Sequence, residues 1–338
     1  MGTLKFLLRA RLKRSTKKAH KVSGFTLLEL LVGLILAFLI ITPLLGFMIN
    51  IMNTDRQEQA KVNTEQDLQA AMDYISRDLQ QAVYIYDQYA LDNPNTSDPE
   101  TSGIQGQLPS GAQGVPVLVF WKRNLVPKAL PAGAATSCPS SPRNPNCNDA
   151  FVYSLVAYYL ISTPGSATAK IGRFEIQDGV RDPTSRTNTY LPGYPADAGF
   201  QPFTVLSSGT ITQSMNQWRK RGEPDPAKLP QNNILVEYID NSPTTAAGNP
   251  IPVEACPADS DATDNDLEWT QIPSTTPTYS FYSCVWSSKN TARVFIRGNA
   301  LARIRNTNNN YAPSLSAFFP RTRIEVKSRA SLGTNSGS

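Results

Sequence analysis

One uninterrupted apolar run near the amino terminus limits what this chain can fold into. From Leu30 to Ile49 the chain has 20 residues, and Thr42 carries the only polar side chain among them. A helix rises about 1.5 Å per residue, so this run extends roughly 30 Å, the thickness of the hydrocarbon core of a bilayer. No second run of this kind follows in the sequence. We therefore predict a single membrane span with most of the chain on one side.

The residues before this run predict its orientation. The first 24 residues carry eight Lys or Arg side chains and no acid. Positive charge beside a span favours retention in the cytoplasm, so we expect a cytoplasmic amino terminus and an exported remainder. The whole chain has a net charge of +5, whereas residues 25–338 hold 24 basic and 27 acidic side chains, a net of −3. The basic balance belongs to the amino-terminal segment, and we expect no nucleic-acid partner.

The residue inventory argues against several kinds of catalysis. His20 is the only histidine, and no two of the four cysteines have C-x-x-C spacing. A Ser-His-Asp or Cys-His system therefore lacks a base, and a Cys/His zinc site lacks ligands. The phosphate-binding patterns GxxxxGK[ST] and GxGxxG are also absent. We predict no enzymatic activity, metal or cofactor. A membrane-anchored surface enzyme is the alternative, and it would require a polar cleft with perturbed acids.

Glu29 separates three interpretations of the amino-terminal region. A secretory signal peptide has an apolar core of about 7–15 residues and an A-x-A-like site, so this run is too long. A plain signal anchor explains the length and the charges, but not a carboxylate at the edge of the span, where it is costly. The third interpretation depends on residues 24–33, GFTLLELLVG, in which Gly, an apolar residue, Thr and Glu stand at fixed spacing before the span.

This segment resembles the class III signal of type IV pilins and type II secretion pseudopilins. The resemblance implies that a prepilin peptidase removes a leader of residues 1–24 by cleaving after Gly24, and that the new terminus, Phe25, is N-methylated. It also implies that Glu29 pairs with the terminal amine of a neighbouring subunit, since a buried carboxylate is tolerable when a cation meets it. The implied partners are the peptidase, other pseudopilins or pilins, and an inner-membrane assembly platform. The implied location is a single pass of the plasma membrane with a periplasmic domain, followed by incorporation into a filament.

Apolar residues at helical spacing continue beyond the span. Residues 25–54 are the predicted transmembrane and assembly helix, and residues 55–86 its amphipathic continuation. We expect the apolar stripe of this continuation to pack on the protein's own sheet rather than on a partner; it comprises Val62, Leu68, Met72, Ile75, Leu79 and Val83. The pattern ISRDLxxA within residues 72–82 resembles the same helix in J-type minor pseudopilins and W-type minor pilins.

Further segments resemble a subgroup, the hormogonium polysaccharide secretion pseudopilins of filamentous cyanobacteria. These segments are DLQAAMDYISRDLQQAVYIYD, VLVFWKRNLVP, ILVEYID and VFIRGNALARI. The resemblance implies a minor pseudopilin that supports polysaccharide secretion and gliding motility, with the secreted polysaccharide as a further partner. A W-type minor pilin for twitching or DNA uptake shares every anchor feature and is the alternative.

Residues 87–327 have the composition of an exported, β-rich domain. Of 26 prolines, 25 lie beyond Tyr86, which excludes another long helix there. We predict long loops at 87–114 and 124–148, a short helix at 214–221 and a disordered tail at 328–338. Runs of β-branched and aromatic residues predict strands at 115–122, 151–162, 169–176, 203–211, 234–239, 279–286, 292–297 and 322–327. The predicted fold is α+β and pilin-like, a long amino-terminal transmembrane helix packed on an antiparallel sheet domain with long loops.

The four cysteines all lie in the exported part, where disulfides are permitted. Of three connectivities, the local one joins Cys138 to Cys147 and Cys256 to Cys284 and is the simplest; free or differently paired thiols stay open. Closing the loop between Cys256 and Cys284 would stabilise the chain by about 3 kcal/mol in the chain-entropy model.

Two groups of charged residues allow a binding role. The first is an acidic loop that contains Asp259, Asp261, Asp264, Asp266 and Glu268. Oxygen ligands at this density can hold Ca²⁺, but the spacing of an EF-hand is not present. We therefore favour a solvated acidic loop. Basic residues lie beside aromatic ones at 218–221 and 293–305. There we favour a solvated, Arg-bearing edge strand over a site for an anionic polymer.

Overall fold

The computed structural model describes the apolar helix and most of residues 87–327. The described residues are 24–133, 137–139, 141–185, 187, 189–243, 251–258, 269–275, 278–329 and 332. Residues 1–23 of the predicted leader, the acidic segment 259–268 and most of the predicted disordered tail therefore lie outside the described residues. The chain divides into two compact units, residues 1–55 and residues 56–338.

A single long helix, α1, runs from Leu27 to Gln80. Between Leu30 and Ile49 it carries the apolar run, and all residues of that run are exposed. Thr42 donates its hydroxyl to the carbonyl of Phe38 at 2.8 Å, so the one polar side chain of the run is satisfied within the helix. By length and composition, α1 is the one helix in the described part of the chain that could cross a membrane.

In the described residues of the second unit, the strands form two antiparallel sheets. The first has the strand order β1-β2-β3-β4-β5, with β1 Ala82–Ile85, β2 Val115–Leu130, β3 Asn148–Ser162, β4 Thr168–Gln177 and β5 Ile234–Asp240. The second has the order β6-β7-β8-β9, with β6 Thr270–Ile272, β7 Phe281–Trp286, β8 Thr291–Arg297 and β9 Arg321–Lys327. Two short helices, α2 Gln88–Asp92 and α3 Ile211–Asn216, lie between strands. A long helix with antiparallel sheets confirms the α+β class.

The carboxyl-terminal part of α1 packs on the first sheet through most of the predicted stripe. Leu68, Met72, Ile75 and Leu79 are buried in one core with strand residues of both sheets. The prediction is wrong for Val62, which is 47% exposed. Burial of the other four contributes about 1.5–3 kcal/mol for each side chain, which fixes this part of the helix to the domain.

The helix is shorter than predicted. It ends at Gln80 rather than at Tyr86, and Val83 belongs to β1 instead of the helical stripe. The sequence AVYI is β-branched and aromatic, and pairing of β1 with β2 decides its conformation. Helical spacing alone did not detect this change because Val83 continues the four-residue step.

Most of the predicted strands are present, but one is wrong. No strand occurs at 203–211; that stretch is irregular and leads into α3, whose start is fixed by a capping box between Thr210 and Gln213. The predicted loop 124–148 is also too long, because β2 continues to Leu130. The short helix predicted at 214–221 begins earlier, at Ile211, and ends at Asn216.

Polar side chains from the connection between β7 and β8, and from β8 itself, join the two sheets. Ser287 Oγ donates to the carbonyl of Ile85 at 2.6 Å, and Asn290 Nδ2 donates to that of Val83 at 3.1 Å. At the opposite edge, Arg297 Nε on β8 donates to Asp240 Oδ2 on β5 at 2.8 Å, with both side chains buried. These bonds satisfy carbonyls and charges that would otherwise be buried without partners.

Both disulfides have the local connectivity. Cys138 is bonded to Cys147 between β2 and β3, and Cys256 is bonded to Cys284 on β7. The second bond holds residues 251–258 against the second sheet, where Tyr282 also donates its hydroxyl to the carbonyl of Glu254 at 2.7 Å. The local pairing predicted from the sequence is confirmed.

Candidate functional site

The predicted processing site lies just outside helix α1. Gly24, Phe25 and Thr26 are non-helical and exposed, and the helix begins at Leu27. The bond between Gly24 and Phe25 is therefore separated from the first helical residue, Leu27, by two residues, Phe25 and Thr26. A peptide bond in such a segment is not held by helical hydrogen bonds.

Glu29 and Thr26 form a reciprocal cap at the start of the helix. The Thr26 amide donates to Glu29 Oε2 at 3.2 Å, and the Glu29 amide donates to Thr26 Oγ1 at 3.2 Å. This is a capping box, which satisfies two otherwise unpaired amide groups. It provides a role for Glu29 that the sequence interpretation overlooked, although the T-x-x-E spacing that signals it is visible.

The predicted partner of Glu29 is the terminal amine of a neighbouring subunit, so its pairing stays a prediction for a single chain. No basic side chain of residues 24–133 or of the later described ranges pairs with it. Its carboxylate stays exposed and contacts only Thr26 in the hydrogen bonds of this region. The structure thus brings Thr26 and Glu29 together and places Phe25, 80% exposed, immediately before them.

A buried polar network lies between α1 and the first sheet, centred on Asp78 of the ISRDL segment. Lys122 Nζ donates to Asp78 Oδ1 at 2.9 Å, while Arg173 Nε and the Tyr158 hydroxyl donate to Oδ2 at 2.9 and 2.6 Å. Helical periodicity does not detect Asp78, because a charged residue of an amphipathic helix is expected on its solvated face. Its burial among three donors makes it a contact between helix and sheet.

Glu175 on β4 extends this network and balances its charge. It lies 2.7 Å from Arg173 Nη2 and 3.3 Å from Lys122 Nζ, and Asn124 Nδ2 donates to it at 2.8 Å. Burial by itself raises the pKa of Glu175, but Arg173 and Lys122 outweigh burial and lower the pKa to about 2. Burial and the negative charge of Asp78 together raise the pKa of Tyr158 well above its usual value.

A polar recess opens beside this network and bears on the enzyme alternative. Its volume is about 190 Å³, and its lining residues are Arg173, Glu175, Gln177, Asp197, Lys228 and Asn233. The two acids are ion-paired, Glu175 with Arg173 and Asp197 with Lys228. A carboxylate whose pKa is near 2 is a weak base at neutral pH. The recess therefore has the chemistry of a structural ion network.

The basic segments predicted as an edge strand are used in internal contacts. Arg293 and Arg297 lie on β8, which is flanked by β7 and β9, so the edge-strand prediction is wrong there. Arg293 pairs with Glu325, and Arg303 donates to Thr64 Oγ1 at 2.9 Å and pairs with Asp67. In the 218–221 segment, which is not a strand, Trp218 is buried.

The calcium question concerns residues that the structure does not describe. Asp259 to Glu268 lie outside the described ranges. Among the described residues, no group of three or more His, Cys, Asp or Glu side chains is placed to hold a metal ion.

In comparisons with known proteins, no family model, no curated protein and no solved structure matches this chain.

Proposed function

We propose that this protein is a minor pseudopilin, a structural subunit of a pilus-like filament of the type II secretion class. The observation that carries the proposal is the segment GFTLLELLVG directly before the apolar part of α1, with the bond after Gly24 outside the helix. The apolar helix followed by a domain with antiparallel sheets is compatible with such a subunit.

Maturation would convert the amino terminus from a cytoplasmic leader into an assembly element. Prepilin peptidase would cleave after Gly24, and the new amine of Phe25 would be methylated and remain cationic. This cation would stand four residues before Glu29 and could replace the Thr26 amide as the partner of its carboxylate. In a filament, the amine of one subunit would meet Glu29 of its neighbour, which reduces the cost of a carboxylate in an apolar environment.

Assembly would replace lipid around the apolar helix by the helices of neighbouring subunits. Helix association in an apolar medium depends on packing and on polar contacts, because lipid tails are as apolar as the side chains. One pairing of charges near the helix start would therefore set the register between subunits. The assembly platform and the other pseudopilins are the partners in this step.

The proposed location follows from the charge distribution and the cysteines. The basic leader would be cytoplasmic, α1 would cross the plasma membrane once, and the β-rich domain would be periplasmic before entering the filament. Two disulfides in the domain agree with an oxidising compartment. The resemblance to hormogonium pseudopilins favours a polysaccharide as cargo and gliding as the process, without enzymatic activity of this chain.

Deletion of the gene, complemented by the full chain, tests the proposal and separates it from a pilin for twitching or DNA uptake. We expect deletion to reduce polysaccharide export and gliding while extended pili and DNA uptake persist. Loss of pili or of DNA uptake with normal export would instead favour the minor pilin. The complementing chain should be recovered with sheared filament or assembly complexes, and uniform recovery as free membrane protein would contradict a filament role.

A further inference from the structure

The outer ends of β2 and β3 carry an exposed apolar surface. Leu125 lies opposite Phe151 and Arg123 lies opposite Tyr153, so the four side chains share one face of the hairpin. Phe151 is 56%, Leu125 53% and Tyr153 37% exposed. We call these four residues the hairpin patch.

The opposite face of the same hairpin is covered by other residues, so only the face that carries the hairpin patch is exposed. Ala150 and Val152 are buried there with Val180, and Leu191 packs against them. Half-exposed Leu, Phe and Tyr side chains beside an Arg have the composition of the centre of a protein–protein contact.

Arg123 gives the hairpin patch a positive charge without a described counterion. Its guanidinium lies 3.8 Å from the centre of the Phe151 ring. No carboxylate in the described part of the chain forms an ion pair with it, whereas Arg173, Arg293, Arg297 and Arg303 all have one. A complementary surface would present an apolar side chain next to free carboxylates.

Helix α1 presents such a surface on its exposed side. A stripe at steps of four, three, four and four residues lies on one face of the helix and comprises Glu58, Val62, Glu65, Gln69 and Asp73, all exposed. Val62 is the exposed apolar residue of this stripe, at 47%. Within the described chain, Glu65 and Asp73 have no ion-pair partner, although Asp73 accepts a hydrogen bond from Gln69 at 3.0 Å. We call these five residues the helix stripe.

We propose that the hairpin patch of one copy of this chain docks on the helix stripe of a second copy. The proposal deepens and rests on the filament function above. Two different surfaces that meet head to tail form a ring when the rotation between copies closes and an open helical filament when it does not, and a filament subunit requires the second case. Arg123 would face Glu65 and Asp73, while Leu125 and Phe151 would cover Val62.

The size of the hairpin patch indicates when this contact forms. Three half-exposed side chains bury much less than the roughly 1,200 Å² of a stable free-standing interface. The contact therefore operates between copies held in one membrane or filament, where the local concentration is high.

Intermolecular disulfide formation tests the contact in the full chain. All four native cysteines are disulfide-bonded, so introduced cysteines are the only free thiols. One tagged chain carries Leu125→Cys and a differently tagged chain carries Val62→Cys, and both are reconstituted together in phosphatidylethanolamine–phosphatidylglycerol vesicles and oxidised. A mixed-tag dimer is expected. Asn63→Cys is the matched control, because Asn63 is also exposed but points about 100° around the helix.

Charge reversal supplies the second readout. Arg123→Glu should lower the yield of the mixed dimer by at least about fivefold, since it sets like charges opposite each other. Glu65→Lys with Asp73→Lys in the second chain should restore the yield. The proposed contact is wrong if the Leu125→Cys and Val62→Cys chains form no more mixed dimer than the Asn63→Cys control does. It is also wrong if Arg123→Glu leaves the yield of the mixed dimer unchanged. Capture of a different protein by the Leu125→Cys chain in cell membranes, without the mixed dimer, also overturns it.

The amino terminus of the same chain, purified from cells, distinguishes failure of the proposed contact from failure of the proposed function. A terminus at Phe25 and recovery with sheared filament, without the cross-link, means that this contact is wrong and the filament function stands. An uncleaved chain that never enters a filament means that the proposed function itself is wrong.

Discussion

Asp78 of helix α1 and Arg173 of strand β4 are joined by an ion pair in which Oδ2 and Nε are 2.9 Å apart. Lys122 on β2 and Tyr158 on β3 donate to the same carboxylate. One acid thus bonds the helix to three neighbouring strands. Because Asp78 is buried, its charge depends on these donors.

Replacing Asp78 by Ala should destabilise the domain strongly. The change leaves Lys122 and the Arg173 side chain buried with one acid, Glu175, between them, and breaking a buried pair costs about 3–5 kcal/mol. Asp73→Ala on the same helix is the control, and its exposed position predicts a change within about 0.5 kcal/mol. Urea unfolding of the full chain in detergent, followed by fluorescence of the buried Trp121 and Trp218, measures both. Equal urea midpoints for the two variants would mean that the ion pairs of Asp78 add no measurable stability to the domain.

The stability of the domain should fall in acid because of Glu175. Its pKa is lowered from 4.5 to about 2, so the folded state binds its proton less readily than the unfolded state does. The stabilisation is complete above pH 4.5 and is lost as the pH falls towards 2.

Glu175→Gln should therefore flatten the decline of the urea midpoint between these two pH values. Glu237→Gln is the control, since Glu237 forms an exposed pair with Lys170 that is worth about 0–1 kcal/mol. If Glu175→Gln and the unmodified chain have parallel pH profiles, the assigned ion network does not govern acid stability.

The two disulfides should differ in their contribution to stability. Cys256→Ala with Cys284→Ala opens a loop with a separation of 28 residues, whereas Cys138 and Cys147 are separated by nine. The chain-entropy model gives a loss of about 3 kcal/mol for the longer loop and roughly 1 kcal/mol less for the shorter one. Thermal unfolding of the two double variants measures the order, and a larger loss from the Cys138–Cys147 variant would contradict it.

Glu29→Gln separates the two roles available to Glu29. Gln at this position retains the capping box with Thr26 but removes the charge. If Glu29 pairs with a neighbour's amine, the Glu29→Gln variant should be as defective in filament assembly as a Glu29→Ala variant, which loses both the charge and the cap. Incorporation into sheared filaments is the measurement, with cleavage after Gly24 as the control for normal processing. Rescue by Gln, with failure of Ala, would assign Glu29 to helix capping instead.

The sequence predicted the parts of the fold that depend on local pattern. Length and hydropathy gave the apolar helix, and the strand at 234–239 differs from β5 by a single residue. The errors occur where tertiary pairing decides. Val83 fits the helical stripe, yet it lies in β1 at a register shift between Ala82 and Tyr84. Residues 203–211 have strand composition, yet Phe203 packs against Trp121 from an irregular segment.

The sequence could not predict which residues the candidate site residues contact. The Thr26–Glu29 cap was visible as T-x-x-E spacing, whereas Asp78 looks like any exposed acid of an amphipathic helix. Only the strand register brings Lys122, Tyr158 and Arg173 to it, and such long-range contacts leave no local periodicity. The same limit applies to Arg123, because its contact with the Phe151 ring and its lack of an ion pair among the described residues depend on how the strands pair.

Mass spectrometry of the amino-terminal peptide tests the central claim most directly. The full chain is extracted from membranes of cells with active prepilin peptidase, next to a Gly24→Val control in which cleavage should be blocked. The account predicts that the unmodified chain begins at an N-methylated Phe25 and has lost the eight basic residues of the leader. An intact Met1 terminus in those cells would contradict it.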